Sequence, residues 1–444
     1  MNNFNNSKKL YERALISIVE GVSSRARAIK GGYIPCPIYI NRAKGSRIYD
    51  VDGNEYIDYL QALGPAFLGH ANSAILDFVA EEQKRGTTYA LGNELEIKVA
   101  EKLVKYVPCF DTVGFVNSGT EAVQMVLELA RGYTGKEKII KFEGHYHGWL
   151  GNVYVSVAPS LDEAGSELLP SKVPASIGSP KSAISDTMIL PWNNKEIINK
   201  VIKEQGNNIA AVIMEPHMAN CGLIPPENGY LDFVRKVTEE NNILLIFDEV
   251  ITGFRLSLGG AQEFYKVIPD LAAMGKICGG GYPVAVYGGK AKIMNVIEKI
   301  AHAGTLNANI PCMAAAYATL SYLEENNEEI YKHLYEIGNS LIDGIREIIC
   351  GLKIKAIVQG LPSMFQIYFT DLSKLKSYRE VILCNKFIFD EMWKRLLSKG
   401  VLIRPRYFGN IYISAAHNEN DIEQTIKVFK EVLSDMKRDH YLYN

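Results

Sequence analysis

Five apolar residues follow one another from Ile243 to Phe247, too few for an amphipathic helix and suited to a strand buried on both faces, as in a parallel sheet. Strands of similar length are predicted at Val113–Val116, Lys138–Phe142 and Ile209–Met214. Helical spacing separates them, and this alternation from about residue 110 to 300 predicts a mainly parallel sheet covered by helices on both faces. Before it, an amphipathic helix opens the chain, residues 38–60 alternate around Asp52-Gly53 as a β-hairpin or meander, and two helical patterns at 74–107 flank Arg85-Gly86-Thr87-Thr88. Residues 151–191 carry Pro159, Pro170, Pro174, Pro180 and Pro191 and read as a long loop near a site mouth. From residue 326 the pattern changes to a long charged helix ending near Cys350, a strand at Met364–Phe369, a helix at 383–399 and a closing helix from Glu419, a smaller α+β unit.

Composition narrows the class only slightly. A chain of 444 residues with 47% hydrophobic and 22% charged residues is ordinary for a globular protein. A net charge of −2 and the lack of basic runs give no reason to expect nucleic acid or an anionic membrane as partner. Seven scattered cysteines without a CxxC pair read as reduced thiols in a cytoplasmic protein, not a disulfide frame or a metal site. No secretory signal and no apolar stretch of membrane-spanning length is expected.

Candidate chemistry gathers where strands end. Asp248 and Glu249 fall at the carboxyl end of the Ile243–Phe247 strand, where open α/β sheets bind ligands. Lys276 lies in Ala272-Ala273-Met274-Gly275-Lys276-Ile277-Cys278-Gly279-Gly280-Gly281, a setting poor for a solvated amine and good for a nucleophilic one. An acid for a pyridinium nitrogen and a lysine for an imine are the minimum for pyridoxal 5′-phosphate (PLP). A helix-capping aspartate and a loop lysine explain the same two residues. Ser118, with Glu121 three residues on, predicts a capping box; the turn Ser118-Gly119-Thr120 suits either a phosphate or an ordinary strand-to-helix connection. Glu143-Gly144-His145-Tyr146-His147-Gly148-Trp149 crowds aromatic residues between glycines, Glu215-Pro216 and Asn220 follow the Ile209–Met214 strand, and Ala303-Gly304-Thr305-Leu306-Asn307-Ala308-Asn309 makes another polar turn. Arg25 and Arg27 lie in an irregular segment and suit solvent or a carboxylate.

The blocks NSGTEA, KFEGHYHG, IFDEVITGFR, DLAAMGKICGGGYPVAVYGG and HAGTLNAN resemble the class III aminotransferases of PLP fold type I. With GSRIYDVDGNEYIDY and ISAAHNENDIEQT, they are most similar to the glutamate-1-semialdehyde 2,1-aminomutase branch. The resemblance implies an aspartate-aminotransferase-like α/β fold: a large PLP-binding domain over 61–310 with a mainly parallel seven-stranded sheet, and a small α+β domain over 311–444 to which residues 1–60 contribute. It implies Lys276 as the imine-forming base, Asp248 at the pyridine nitrogen, and Ser118, Gly119 and Thr120 at the phosphate. It places Tyr146 on the ring, Val250 on the opposite face, Asn220 near the 3′-oxygen and Glu215 in the cofactor-binding set. Thr305 is expected to reach the phosphate of a neighbouring subunit, which implies a homodimer, and Arg27 to hold a substrate carboxylate.

The expected activity is amino transfer between a carboxylate-bearing amino acid and a carbonyl acceptor, through an internal aldimine and pyridoxamine 5′-phosphate; an aminomutase and a racemase or epimerase use the same Lys276 and Asp248. The substrate half departs from the aminomutase pattern. Leu63 stands where that branch has tryptophan, Gly409 where it has glutamate, and its AGSG run is missing from WLGNVYVSVAPSLDEAG. Leu63, Arg404 and Arg406 therefore join Arg27 as expected substrate contacts, for a carboxylate substrate other than glutamate semialdehyde, such as a β-amino acid.

Overall fold

The computed structural model describes residues 3–443, so the first two positions of the expected N-terminal segment and the last of the expected C-terminal domain lie outside the described residues. Two compact units form: Met1–Asn72, Lys332–Leu375 and Leu383–Asn444 in the smaller, Ser73–Tyr331 and Lys376–Ile382 in the larger. In the smaller unit the alternating N-terminal segment becomes β1 (Ile40–Lys44), β2 (Arg47–Asp50) and β3 (Glu55–Asp58), antiparallel in succession. Asp50 closes the turn by accepting the N–H groups of Asp52 and Asn54.

The larger unit is built on β4 (Thr112–Val116), β5 (Lys138–Phe142), β6 (Thr187–Leu190), β7 (Ile209–Met214), β8 (Leu244–Glu249), β9 (Leu271–Met274) and β10 (Ala285–Gly289), in the order β4-β10-β9-β8-β7-β5-β6. Strands β5 to β9 pair in parallel, and β10 is antiparallel to both β4 and β9. Every residue of β7 and β8 is buried, which explains their unbroken apolar runs. The helix Gly119–Thr134 lays Val123, Val126, Leu127 and Ala130 against Ala211, Ile213, Ile246 and Ala273 in one core. Each large aliphatic side chain so buried contributes ~1.5–3 kcal/mol.

Three expectations need correction. The loop expected over 151–191 contains β6, which pairs with β5 from Ile139↔Thr187 to Phe142↔Leu190; four residues closed by Pro191 are too short a run to stand out. The domain boundary is at Tyr331/Lys332 instead of 310/311, because the helix Ile310–Glu325 packs on the helices Ser73–Glu82 and Glu94–Tyr106 of the larger unit. The first boundary moves from 60/61 to Asn72/Ser73, since the segment after β3 bonds back to the hairpin: Gly45 and His70 exchange backbone hydrogen bonds, and His70 Nε2 meets Asp58 Oδ2 at 2.7 Å.

The smaller unit is completed by β11 (Ala356–Leu361), β12 (Met364–Phe369), β13 (Val401–Leu402) and β14 (Ile411–Tyr412). Strand β13 joins the N-terminal sheet parallel to β3, with Val401 opposite Ile57.

Candidate active site

The candidate residues of the larger unit lie beyond the carboxyl ends of its strands. Asp248 is buried near the end of β8; Oδ2 stands 2.8 Å from His147 Nδ1, and Oδ1 accepts the Val250 N–H at 3.1 Å. Burial pushes its carboxyl up to about 7, against the downward pull of the Val250 N–H and the Lys276 cation. The His147 imidazole is held well below its usual range by burial and by Lys141, so it is neutral and donates from Nδ1. Lys276 follows β9 directly, half-buried, with φ +49° at the start of a short 3₁₀ turn. For a residue with a Cβ that backbone is strained, a cost of order 1–3 kcal/mol that marks functional positions. The neighbouring Glu249 is a structural group: its carboxylate accepts from Thr252, Ala261 and Gln262.

The helix Gly119–Thr134 starts at the same end. Ser118 is its N-cap and accepts the Glu121 N–H at 3.3 Å. The expected reciprocal bond is shifted: Glu121 Oε2 takes the N–H of Asn117 and the Ser118 hydroxyl instead of the Ser118 N–H, leaving the turn one residue wider than a strict capping box. A Cβ on Gly119 would stand 2.9 Å from Val250 Cγ2, and one on Gly148, at φ +84°, 2.6 Å from Thr120 Oγ1. These close approaches gather Val250, the His145–Gly148 loop and the helix N-terminus. Asn117 Nδ2 also donates to Asn307 Oδ1 at 2.8 Å, tying the Gly304–Asn309 turn to the cap; Thr305 in that turn is exposed.

Glu215, buried after β7, has a role the sequence hid. Oε1 accepts the Tyr146 N–H, and Oε2 accepts the N–H groups of Ala219 and Asn220, at 2.8–2.9 Å. Its carboxylate therefore fixes the backbones of Tyr146 and Asn220. Tyr146 is half-buried, edge-on to Tyr154 with ring centres 6.2 Å apart. Lys141, fully buried in β5, donates to the carbonyls of His145 at 2.9 Å and Val155 at 2.6 Å. Sequence reading missed Lys141, His145 and His147 as working residues. The available signal was a lysine inside an apolar strand, followed by two histidines in a glycine-bounded turn.

Arg27, Leu63, Arg404 and Arg406 all belong to the smaller unit. Arg27 is exposed and Arg404 half-buried, and both pull down on the Tyr33 hydroxyl, which burial pushes up to about 12. Gly32 brings their segments together: at φ +109° it leaves no room for a Cβ, which would fall 2.2 Å from the Pro405 carbonyl oxygen. Arg406 is exposed and lies over the Phe408 ring, 3.9 Å from its centre. Leu63 closes three successive left-handed residues, Gln61, Ala62 and Leu63.

The family model Aminotransferase class-III matches residues 28–433. This chain belongs to the class III aminotransferases. Among its curated relatives are glutamate-1-semialdehyde 2,1-aminomutases of Archaeoglobus fulgidus, 42% identical over 96% of this chain and 99% of that protein, and of Clostridium novyi, 42% identical over 97% and 98%. Among solved structures, an omega-transaminase from Sphaerobacter thermophilus superposes with a TM-score of 0.91, 32% identical over 97% of each chain. A transaminase with PLP bound gives 0.88 at 27% identity, over 98% of this chain and 99% of that one. Membership makes the chain a PLP-dependent enzyme of fold type I.

The residues present fit that cofactor. A buried carboxyl that desolvation raises toward neutrality suits a protonated ring nitrogen, and a capped helix N-terminus suits a phosphate. Lys276, half-buried after the strand next to that of Asp248, has an amine that would suit imine formation with the cofactor.

Proposed function

We propose that this class III aminotransferase is a glutamate-1-semialdehyde 2,1-aminomutase, moving an amino group between neighbouring carbons of one carboxylate-bearing molecule. The observation that carries this reading is whole-chain similarity: 42% identity to aminomutases over nearly the full length of both chains. It reverses the order expected from the departures at Leu63 and Gly409, which had put transamination between two molecules first.

PLP, when bound, supplies an electrophilic carbonyl and an electron sink for the carbon that loses its proton. Asp248, oriented by His147 and the Val250 N–H, would keep the ring nitrogen protonated. The N–H groups of Ser118, Gly119 and Thr120 and the hydroxyls of Ser118 and Thr120 would hold the phosphate, and Val250, Tyr146 and Asn220 would hold the ring. Lys276 would supply the amine that holds the cofactor covalently, and the same amine would serve as general base and acid for the proton that moves. Arg27, with Arg404, both of which act on the Tyr33 hydroxyl through their charge, would take the substrate carboxylate.

The proposal includes a cytoplasmic homodimer in which Thr305 completes the neighbour's phosphate site. Exposed Ile97, Val104 and Leu306 support it, as does a cleft of about 650 Å³ lined by the first two with His302, Gly304 and Asn307. Exposed apolar groups so grouped mark an interaction face.

The deciding experiment adds glutamate 1-semialdehyde to the PLP- and pyridoxamine phosphate-loaded forms and follows 5-aminolevulinate. Catalytic formation without an added amino donor is expected. A second reading, transamination between two molecules, is favoured by Gly409 and Leu63; it gains if the semialdehyde is inert while an amino acid converts the PLP form to pyridoxamine phosphate and a keto acid reverses it.

A further inference from the structure

One peptide bond in the larger unit is held at both ends by buried ionisable groups. The carbonyl of His145 accepts from Lys141 Nζ at 2.9 Å, and the N–H of the next residue, Tyr146, donates to Glu215 Oε1 at 2.8 Å. Those two groups belong to the same peptide unit. Its carbonyl end faces an amine donor and its N–H end a carboxyl acceptor, so both ends of the peptide dipole are satisfied by side chains. Lys141 sits in β5 and Glu215 directly after β7, neighbouring parallel strands, so the sheet fixes the distance between the two holding groups.

Each group also makes bonds that reach beyond the peptide. Lys141 binds the carbonyl of Val155, closing the base of the loop that runs from Gly144 to Val155, and the Gly144 N–H donates to the Ser156 carbonyl beside it. Glu215 receives His145 from the other direction, its N–H donating to His145 Nδ1 at 3.0 Å. Lys141 is fully buried and Glu215 nearly so. Burying a lysine inside an apolar strand costs several kcal/mol in general terms, and two neutral side chains would fill the same space without that cost. What the two side chains supply is directional hydrogen bonding to one peptide, and Tyr146 links that peptide to His147, whose imidazole bonds Asp248.

We propose that Lys141 and Glu215 are positioning residues that clamp the His145–Tyr146 peptide from both ends and so set the Tyr146 ring and the His147 imidazole relative to Asp248. This rests on the reading of Asp248 and Tyr146 as cofactor residues given above. Neither clamp residue touches the reacting atoms; both act through the loop they hold.

The test is amide hydrogen exchange on the full chain, loaded with PLP and unloaded, for wild type, Lys141→Met and Glu215→Gln. Peptides covering 143–149 should exchange ~10-fold faster in either variant, with peptides in β7 and β8 unchanged. In the loaded protein, visible circular dichroism per bound cofactor should fall by about half, and kcat by ~10-fold with KM within about twofold. The double variant should be no worse than the worse single, because both ends hold one peptide. A merely structural role would speed exchange across the sheet as well, and that result, or unchanged exchange at 143–149, overturns the clamp. If Lys141→Met fails to fold, Glu215→Gln, which keeps the volume and loses the charge, decides alone by the same readings. Should the wild type bind no PLP, the functional reading fails, while exchange in the unloaded chain still decides the clamp.

Discussion

His147 Nδ1 stands 2.8 Å from Asp248 Oδ2 with both side chains buried, and His147 Nε2 has no hydrogen-bond partner among the described residues. The imidazole thus spends its one N–H on the carboxylate and orients it without adding a charge. Removing it leaves a buried acceptor of Asp248 unpaired, a cost of ~1–3 kcal/mol. His147→Ala should weaken PLP binding by roughly ten- to a hundredfold on that scale, read by titrating the apoprotein. Binding within twofold of wild type would show that the Val250 N–H alone holds the carboxylate.

Asp248 gives a pH prediction for the unloaded protein. Its folded pKa is raised from 3.8 to about 7 by burial, so between those values the folded state binds the extra proton. Stability from this group is full below about pH 4, falls as pH rises through about 7, and stays lost above it. Asp248→Asn removes the titration, and His147 accommodates the amide by presenting either tautomer. The unloaded variant should exceed unloaded wild type in stability at pH 8 by up to ~4 kcal/mol, with the gap closing toward pH 4. Urea unfolding at the two pH values measures it; a gap independent of pH would contradict the assignment.

Gly119 makes a steric prediction. A methyl there meets Val250 Cγ2 at 2.9 Å and Cγ1 at 3.1 Å. Forcing such contacts costs ~1–3 kcal/mol, and it displaces either the helix N-terminus or the valine. Gly119→Ala should weaken PLP binding, and adding Val250→Ala, which clears both γ-carbons, should restore most of it. Failure of the second change to restore binding would move the cause from the Val250 contact to the helix backbone.

The strands that carry this site were legible because parallel strands buried on both faces need unbroken apolar runs; the expected bounds at Lys138–Phe142 and Ile209–Met214 match the observed ones. Strand β6 was not, since four residues beside prolines carry too little periodicity. Asp248 and Lys276 could be singled out because each places an ionisable group in an apolar setting. His147 and Lys141 could not be assigned work, because their roles come from contacts to Asp248 and to a backbone carbonyl across strands, and spacing along the chain does not encode them. Glu215 illustrates the difference: its place beyond β7 was readable, whereas its three N–H partners depend on how the loops after β5 and β7 meet.

Gly409 bears most directly on the choice between the two readings. At the position where the aminomutase branch has glutamate, this glycine is buried, its N–H donates to the Arg406 carbonyl, and its carbonyl accepts from Gln366 Nε2 at 3.1 Å. A Cβ there would stand 2.7 Å from Arg404 Cδ and 2.9 Å from the Arg406 carbonyl oxygen. Arg404 thus occupies the space through which a side chain at 409 would leave the backbone. Gly409→Glu should destabilise the protein by ~1–3 kcal/mol through overpacking and displace Arg404 from Tyr33. If Arg404 serves the substrate carboxylate as proposed, the variant forms 5-aminolevulinate more slowly than wild type, with the loss mainly in KM. A variant that is equally stable and faster with the semialdehyde would mean that the 404–409 segment yields to the glutamate, and that Arg404 is dispensable for holding the carboxylate.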